Sequence, residues 1–361
     1  MSKRLLIAAS GTGGHIFPAL AVAQHLSQPH TPETSTWSIE WLGVPDRLET
    51  ELVHSYPLHT IGVGGFQGRP GLRTIKTGLN LIKGIWQTRK ILKQGNFDGV
   101  FTTGGYIAGP AILAARSLGL PVVLHESNAM PGKVTRWFGP WCDSVAIGFP
   151  SAAQHLTKSQ TQWTGTPVRA NFWQPDPLDL PIPDTVPLIV VVGGSQGAVR
   201  VNQLVRDAAP AWFDAGAWVV HLTGNRDSDA NQLNHSQYIA LPFYNNMAAL
   251  LKRADLAISR AGAGTLTELA ASHTPAILIP YPTAADDHQT YNARSFVDAG
   301  AARLYPQGDL DGPTLQGLVM ELLNDGDRRL RMTRNAAAAA VPDSGDRLAD
   351  LIETTFAGHS Q

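Results

Sequence analysis

Cysteine is almost absent from this chain. Cys142 is the one cysteine among 361 residues, which excludes an internal disulfide and a zinc site built from several cysteines, and favours a reducing compartment. Charge is also scarce: charged residues make up 16% of the chain, and the formal net charge is -1 at pH 7. Because no global positive field exists, the composition predicts no nucleic-acid partner.

Long apolar runs are missing as well. No run approaches the roughly 20 residues of a membrane-spanning helix, so none is predicted. The apolar stretch 5–9 ends at once in the glycine-rich stretch 10–15, which favours a buried strand entering a turn over a signal peptide. With 361 residues, 43% of them hydrophobic, the chain is large enough for two packed domains.

Strand and helix patterns alternate along the whole chain, and they do so twice in the same way. Stretches 5–9 and 188–192 each run into a glycine-rich turn, and stretch 97–105 resembles 254–262. The pattern predicts an α/β protein with two Rossmann-like domains, 1–168 and 169–341, joined by a proline-rich segment. A C-terminal helix at about 342–358, with Leu348, Leu351, Ile352 and Phe356 on one face, is expected to pack on the first domain.

The glycine-rich turns lie where parallel sheets bind ligands, at the carboxyl ends of strands. We expect the two sheets to face each other across an interdomain cleft, with backbone amides at helix starts suited to a diphosphate. The alternative is that each glycine serves only the tight turn into a helix. Neither turn continues into Gly-Lys-Ser/Thr, and 11–14 lacks the third glycine of the dinucleotide fingerprint, so a P-loop nucleotidase and a plain dehydrogenase are disfavoured.

Three further stretches carry polar groups close to predicted strand ends. In 259–268, small residues expose amides and Glu268 could accept both hydroxyls of a ribose; the alternative is a capping box formed by Thr265 and Glu268. In 286–292, amides and carboxylates could bind sugar hydroxyls, or Asp286 or Asp287 could simply cap a helix. Stretch 125–128 could face the same cleft, or His125 could be structural.

Seven segments in order carry a specific resemblance over nearly the full length. They are 11–18, 103–106, 125–128, 165–169, 193–197, 259–268 and 287–293. The chain resembles the MurG family of bacterial UDP-N-acetylglucosamine (UDP-GlcNAc) transferases, which act on a lipid-linked muramyl peptide. The resemblance implies a GT-B fold, an inverting transfer, and neither a metal nor another cofactor.

The resemblance also implies a set of residues that contact UDP-GlcNAc. These are Thr12, Gly13, Gly14, Asn128, Arg169, Ser195, Tyr244, Ala263, Gly264, Thr265, Leu266, Thr267, Glu268 and Gln289. The resemblance implies that Glu268 binds the ribose and that Gln289 binds the N-acetylglucosamine hydroxyls. It implies that Arg169 and Ser195 bind the phosphate region. Two positions depart from the family pattern: Ser127 replaces a common Gln, and Tyr244 replaces a common aliphatic residue, although a backbone contact would survive either change.

The implied reaction is attack by the muramyl 4-hydroxyl on the anomeric carbon of N-acetylglucosamine, converting the lipid-linked muramyl pentapeptide into its disaccharide form. His15 is the candidate general base; its ring could instead cap the turn or hold the acceptor diphosphate. Stretches 227–229 and 309–311 match the Asp-x-Asp metal motif, but are predicted to be turn or cap residues.

A basic segment provides the membrane prediction. From 52 to 97 there is no Asp or Glu, while Ile75, Leu79, Ile82 and Trp86 recur at helical spacing among basic residues. This pattern is typical of a helix lying on anionic lipid, although an ordinary amphipathic helix is the alternative. The predicted location is peripheral, on the cytoplasmic face of the inner membrane, with cell-wall and division proteins as further candidate partners.

Three rival functions stay open on the sequence. A UDP-GlcNAc 2-epimerase shares the two-Rossmann plan and the sugar nucleotide but needs no second substrate. A glycolipid transferase would use a diacylglycerol acceptor. A non-catalytic sugar-nucleotide-binding subunit would bind without turnover.

Overall fold

The computed structural model describes residues 3–27, 37–64, 72–194 and 197–359, with the backbone alone for 72–77. Two compact units are present: Met1–Val168 together with Asp343–Gln361, and Arg169–Pro342. Each unit is built on its own parallel sheet, so the prediction of two Rossmann-like units is confirmed.

The first unit has a seven-stranded sheet in the order β3-β2-β1-β4-β5-β6-β7, and every neighbouring pair is parallel. The strands are β1 (Lys3–Ala8), β2 (Trp37–Gly43), β3 (Leu58–Thr60), β4 (Gly99–Thr102), β5 (Val122–Glu126), β6 (Ser144–Ile147) and β7 (Thr161–Trp163). The helices are α1 (Gly13–Ser27), α2 (Glu49–Leu52), α3 (Leu72–Gln94), α4 (Ala108–Arg116) and α5 (Lys133–Phe138), with 3₁₀ turns Gly139–Trp141 and Pro150–His155.

The second unit has a six-stranded parallel sheet in the order β10-β9-β8-β11-β12-β13. Its strands are β8 (Leu188–Val192), β9 (Trp218–Leu222), β10 (Tyr238–Leu241), β11 (Leu256–Ser259), β12 (Ala276–Leu278) and β13 (Ala302–Leu304). The helices are α6 (Val199–Asp214), α7 (Met247–Arg253), α8 (Ala263–Ala271), α9 (His288–Asp298), α10 (Gly312–Asn324) and α11 (Gly326–Ala339), with 3₁₀ turns Ala170–Phe172, Ala285–Asp287 and Gln307–Asp309.

The apolar runs form strands because helices cover both faces of each sheet. Every residue of β8 and of β5 is buried, which is why β8 is a continuous apolar run and β5 begins with three apolar residues in a row, rather than alternating. In the first unit, Leu5 and Ile7 of β1 join one core cluster while Leu6 and Ala8 join the other. The strand thus contributes to a core on each face of the sheet.

The C-terminal helix α12 (Ser344–Ala357) packs on the first unit. Its buried residues Leu348, Leu351, Ile352 and Phe356 join the same core cluster as Leu5. Phe356 meets the Trp37 ring edge to face, with centroids 5.6 Å apart. Burial of these four side chains is what attaches the end of the chain to the first sheet.

Helix α3 carries the predicted membrane residues. Leu79, Ile82 and Trp86 are 62%, 65% and 64% exposed, while the side chain of Ile75 lies outside the described residues. Within the described ranges, no helix is both long enough and apolar enough to cross a membrane.

Candidate functional site

In the second unit, three adjacent strands bring the predicted ligand-binding turns to one edge. β11 lies between β8 and β12, and the turns after these strands lead toward α6, α8 and α9. Ser195, in the turn after β8, lies outside the described residues. The remaining predicted positions of this unit can be placed.

Helix α8 begins in the small-residue stretch. Gly262 is its N-cap and makes no side-chain cap hydrogen bond, so Thr265 lies inside the helix and the alternative of a Thr265–Glu268 capping box is wrong. Thr267 Oγ1 donates to Ala263 O at 2.9 Å. Ala263, Gly264 and Thr265 therefore present their backbone amides at a helix N-terminus, where anions are favoured, whereas the Leu266 amide donates to Gly262 O at 3.0 Å.

Glu268 lies one turn into α8 and pairs with Arg169. Arg169 Nη2 donates to Glu268 Oε1 at 3.2 Å, and both side chains are partly buried. Burial raises the pKa of Glu268, and the opposing effect of Arg169 is smaller. The guanidinium of Arg169 also lies over the Phe172 ring, 5.2 Å from its centroid, so the arginine is positioned by a ring as well as by the carboxylate.

Gln289, on the first turn of α9, holds two loops together. Its Oε1 accepts from the amides of Ala261, at 3.3 Å, and Tyr281, at 2.9 Å. Because this oxygen faces two donors, the orientation of the amide group is fixed, and the Nε2 hydrogens are the part that can donate to a ligand. Asn292 Nδ2 donates to Ala261 O at 3.2 Å.

The turn before Gln289 is strained. Asp286 and Asp287 both have left-handed backbones, with φ of 51° and 52°, a region that non-glycine residues rarely adopt. Asp287 is the N-cap of α9, but its side chain caps no backbone amide and instead accepts from Thr290 Oγ1 at 2.6 Å. The alternative that Asp287 serves as a side-chain cap is therefore wrong.

From the sequence, Arg260 had no role of its own within stretch 259–268, but in the structure it has one. It is 8% exposed and donates to Ile279 O and Pro280 O, both at 3.0 Å, and to Gln307 Oε1 at 2.7 Å. These bonds tie the end of β11 to the end of β12. An arginine directly after an apolar strand was the signal available, since a buried arginine must find acceptors.

The turn after β8 lies against the end of β9. Gly197 has φ of 76°, and a Cβ atom there would lie 2.3 Å from Thr223 O, so only glycine fits. Asn202 Nδ2 donates to the same Thr223 oxygen at 2.8 Å. Helix α6 and the end of β9 are thereby held together beside the turn.

A buried polar network extends from Asn202. Its Nδ2 also donates to Asp227 Oδ2, so its Oδ1 is the atom that accepts from His221 Nε2 at 3.0 Å. The neutral His221 ring therefore carries its proton on Nε2, and Nδ1 accepts from the Tyr238 hydroxyl at 2.7 Å. Burial lowers the pKa of His221 to about 3.

The two Asp-x-Asp stretches have structural roles. Asp227 pairs with Arg206 at 2.7 Å in the buried network and accepts from the Asp229 amide at 3.1 Å, as a turn residue does. Burial raises the pKa of Asp227, but the hydrogen bonds from Arg206 and Asn202 outweigh it, so the net pKa is lowered. Asp311 caps α10 by accepting from the Thr314 amide at 2.8 Å. The prediction of turn and cap residues is confirmed.

In the part of the chain that the structure describes, no group of three or more His, Cys, Asp or Glu side chains could hold a metal ion.

Tyr244 is held by the segment that opens the second unit. Its hydroxyl donates to Asp179, and burial together with this bond raises the pKa of Tyr244 to about 12. Asn246 Nδ2 donates to Pro177 O at 2.9 Å nearby. Since the hydroxyl is engaged, a nucleotide contact at this position would fall to the backbone or to the ring.

In the first unit, the turn after β1 carries His15. The ring Nδ1 lies 2.7 Å from Thr103 O, and Thr103 Oγ1 donates to His15 O at 2.9 Å. A carbonyl oxygen only accepts, so in the neutral ring the proton is on Nδ1 and the lone pair is on Nε2. Thr12, Gly13 and Gly14 lead into His15 on the first turn of α1.

The turn after β5 is organised by a buried carboxylate. Glu126 Oε1 accepts from both the amide and Nδ2 of Asn128 at 3.0 Å. Its Oε2 accepts from the Gly132 amide at 3.0 Å and from Thr135 Oγ1 at 2.6 Å. Asn128 is therefore fixed by Glu126, a positioning role that the sequence did not reveal.

His125 matches the structural alternative. It is fully buried, its Nε2 donates to Gly165 O at 3.0 Å, and Ser127 Oγ lies 3.4 Å from Nδ1. Burial lowers the pKa of His125. Both ring nitrogens have partners within the protein, and the ring serves to join β5 to the Gly165 turn.

Two family models match the chain. The glycosyltransferase family 28 N-terminal domain matches residues 5–147, and the glycosyltransferase family 28 C-terminal domain matches residues 188–348. Together they cover the first sheet from Leu5 of β1 to the end of β6, and the whole of the second sheet.

Curated relatives match almost end to end. A protein of Nostoc punctiforme is 62% identical over 353 residues, 97% of each chain. One of Trichodesmium erythraeum is 57% identical over 350 residues, which are 97% of this chain and 91% of the relative. Both are named UDP-N-acetylglucosamine--N-acetylmuramyl-(pentapeptide) pyrophosphoryl-undecaprenol N-acetylglucosamine transferase.

Solved structures agree on the fold. The crystal structure of MurG from Acinetobacter baumannii is 31% identical, with a TM-score of 0.75 and coverage of 98% of this chain and 99% of that one. A structure from Listeria monocytogenes, named as a putative UDP-N-acetylglucosamine 2-epimerase, has a TM-score of 0.74 at 13% identity and covers 99% of this chain and 98% of that one. The second likeness concerns the fold alone. On both family models and on relatives of this identity, the chain belongs to glycosyltransferase family 28, with the GT-B fold.

Proposed function

We propose that this chain is an inverting glycosyltransferase that moves N-acetylglucosamine from UDP-GlcNAc to the 4-hydroxyl of the muramyl residue of a lipid-linked muramyl pentapeptide. The two relatives above are named for this transfer. The observation that carries the proposal is the edge formed by β11 and β12, where Glu268 and Gln289 lie beside a helix start.

The donor is assigned to the second unit. Glu268 accepts hydrogen bonds from the ribose hydroxyls, because an ionised carboxylate is a strong acceptor. Gln289 donates its Nε2 hydrogens to hydroxyls of the N-acetylglucosamine, since its oxygen is already engaged by two amides. The amides that begin α8, with Arg169 and Ser195, bind the diphosphate.

The acceptor and the base are assigned to the first unit. The muramyl O4 attacks the anomeric carbon from the face opposite UDP; the C1–O4 bond forms as the bond from C1 to the β-phosphate oxygen breaks. His15 Nε2, the unprotonated nitrogen of the neutral ring, accepts the O4 proton. One displacement inverts the anomeric centre, and UDP departs with the bonding electron pair.

The charge of the leaving diphosphate is stabilised by protein groups. Backbone amides at a helix start and the Arg169 guanidinium place positive potential where the negative charge develops. In this proposal no metal ion or other cofactor takes part. Activity that disappears in a chelator and returns with magnesium or manganese would contradict that part.

We assign the membrane-binding surface of the protein to α3. Leu79, Ile82 and Trp86 expose more than 60% of their area, far more than a helix packed in a core would, and Lys90 lies 5.9 Å from the Trp86 ring centroid. Apolar and basic side chains on one helix suit an anionic lipid surface. The proposed location is peripheral, at the cytoplasmic face of the inner membrane, where cell-wall and division proteins are candidate partners.

Incubation with UDP-GlcNAc, with and without the lipid-linked muramyl pentapeptide, tests the proposal against its rivals. We expect UDP release and a glycosylated lipid only when the acceptor is present. A new sugar nucleotide in the absence of acceptor would identify an epimerase. Transfer to diacylglycerol alone would identify the other lipid acceptor, and binding without any product would identify a non-catalytic subunit.

A further inference from the structure

A buried carboxylate lies behind the first glycine-rich turn. Glu49, the first residue of α2, is 0% exposed. Its Oε2 accepts from the Gly11 amide at 3.2 Å, and its Oε1 accepts from the Val44 amide at 2.8 Å. Gly11 follows β1 and Val44 follows β2, and these strands are neighbours. One side chain thus joins the ends of two adjacent strands at the edge where the turn begins.

No cation balances this carboxylate within the described ranges, since the ion pairs there do not include Glu49. A buried ionised group is costly unless it is hydrogen-bonded, and two amides are its partners here. Gly43 makes room for it, because a Cβ atom on Gly43 would lie 2.8 Å from Glu49 Cγ. An apolar side chain would leave the Gly11 and Val44 amides without this acceptor, so the carboxylate is what fixes the ends of both strands.

The turn that Glu49 holds leads directly to His15. Gly11 has φ of 103°, so the chain reverses there with little intrinsic preference for one conformation. On the strand side, Trp41 Nε1 donates to Ala9 O at 2.8 Å. On the helix side, the His15 amide donates to Thr12 O at 3.0 Å. Between these two fixed points, the Gly11 amide is held by Glu49.

We propose that Glu49 is a positioning residue for the transfer reaction: by holding the Gly11 amide it fixes the turn that sets His15 against Thr103. Glu49 acts through the turn and makes no contact with substrate. The inference rests on the proposed function, because it assigns His15 to the reacting hydroxyl.

Glu49→Gln tests this role, because the variant keeps the shape but replaces one accepting oxygen with an NH₂ group that faces an amide donor. A misplacement of about 1 Å can reduce a rate about 100-fold, so we expect kcat to fall at least about tenfold, while the Kd of uridine, whose proposed partner Glu268 lies in the second unit, changes less than about twofold. The matched control is Leu348→Ala, which removes a fully buried side chain of the same unit at about 2–5 kcal/mol and leaves the turn intact. Its kcat per folded molecule should be unchanged.

A double-mutant cycle separates positioning from general destabilisation. If Glu49 acts through His15, then Glu49→Gln combined with His15→Ala loses no more kcat than His15→Ala alone. Additive losses, or a Glu49→Gln kcat equal to that of Leu348→Ala, would overturn the inference. If Glu49→Gln does not fold, Glu49→Asp, which keeps the charge but shortens the reach, takes its place with the same expected outcome.

The wild-type reaction separates a failure of the Glu49 inference from a failure of the proposed function. A wild-type chain that transfers sugar while both Glu49 variants match the control contradicts this inference alone. A wild-type chain that transfers no sugar contradicts the proposed function, and this inference with it.

Discussion

Arg169 and Glu268 form an ion pair with 3.2 Å between Nη2 and Oε1, although 99 residues separate them in the sequence. The carboxylate is buried enough for its pKa to be raised, and the arginine limits that shift. The pair therefore helps to keep Glu268 ionised, the state that its proposed role as acceptor for the ribose hydroxyls requires.

This relationship predicts how uridine binding depends on pH. In Arg169→Ala the pKa of Glu268 rises further, because the nearby positive charge is lost. As the pH is lowered, the carboxylate is then protonated sooner, and uridine affinity should begin to fall at a higher pH than in the wild type. Uridine is the ligand of choice because it lacks phosphates that Arg169 would bind directly. Calorimetric titrations between pH 5 and 8 measure the effect.

Arg169→Lys is the control, since it keeps a positive charge near the carboxylate and should shift the pH profile less than Arg169→Ala. Identical pH profiles for wild type and Arg169→Ala would show that the pair does not govern the ionisation of Glu268.

Gln289 offers an isosteric test of sugar recognition. In Gln289→Glu, a carboxylate oxygen still accepts from the Ala261 and Tyr281 amides, but the donors to the sugar are lost. We expect UDP affinity to change little, and UDP-GlcNAc affinity to fall about tenfold, as for the loss of one or two hydrogen bonds of about 1 kcal/mol each. Competition binding with both ligands measures the difference.

Gln289→Ala is the companion variant because it removes both functions. It should weaken UDP as well as UDP-GlcNAc, since the loops after β11 and β12 lose their link. Equal losses of both ligands in Gln289→Glu would mean that the side chain holds the loops and does not contact the sugar.

His221 predicts a pH-dependent stability of the second unit. Its pKa is about 3 in the folded chain, against about 6.5 when unfolded, so between these values the unfolded state binds the extra proton. The free energy of unfolding is then highest above about pH 6.5 and falls by up to about 1.4 kcal/mol per pH unit as the pH decreases toward 3. Urea unfolding at pH 7 and pH 5 measures the slope.

His221→Gln has no titrating group at this position. Its stability at pH 7 should be lower than that of the wild type, because the Tyr238 and Asn202 bonds are disturbed, but its loss between pH 7 and pH 5 should be smaller. Equal losses in both proteins would place the pH dependence elsewhere.

The exposed face of α3 predicts a separable membrane function. Replacing Leu79, Ile82 and Trp86 with Ser should reduce binding to vesicles that contain anionic lipid, and leave both UDP affinity and the unfolding midpoint nearly unchanged, because exposed side chains contribute little to the core. Vesicle sedimentation measures binding. Exposed apolar residues of the second unit supply a control: Phe243→Ser and Leu330→Ser, at positions that are 65% and 49% exposed, should not alter vesicle binding.

A lower unfolding midpoint for the α3 variant, together with lost UDP affinity, would instead identify these residues as part of a packing surface. Unchanged vesicle binding would contradict the membrane assignment.

The sheets were predictable because their signals are local. The stretch 188–192 forms β8 with the same bounds, since five apolar residues before a glycine-rich turn leave few alternatives. The apolar spacing of Leu348, Leu351, Ile352 and Phe356 likewise identified α12. In both cases one short segment contains the whole pattern.

The groups that fix the site were harder to predict, because their partners are distant in the chain. Glu49 holds Gly11 across 38 residues, and His15 meets Thr103 across 88. The capping-box alternative failed although its signal is local. Thr265 and Glu268 have the right spacing for a capping box, but the helix begins earlier, at Ala263. Spacing gives the candidate, and only the fold decides which partner it meets.

The linkage formed by the enzyme tests the central claim most directly. UDP-GlcNAc carries an α-linked sugar, so a single displacement by the muramyl 4-hydroxyl predicts a β-1,4 bond, which NMR of the product made from ¹³C-labelled UDP-GlcNAc would show as the anomeric coupling and the correlation to muramyl C4. An α linkage, a bond to another hydroxyl, or release of free N-acetylglucosamine in place of a glycosylated lipid would contradict it.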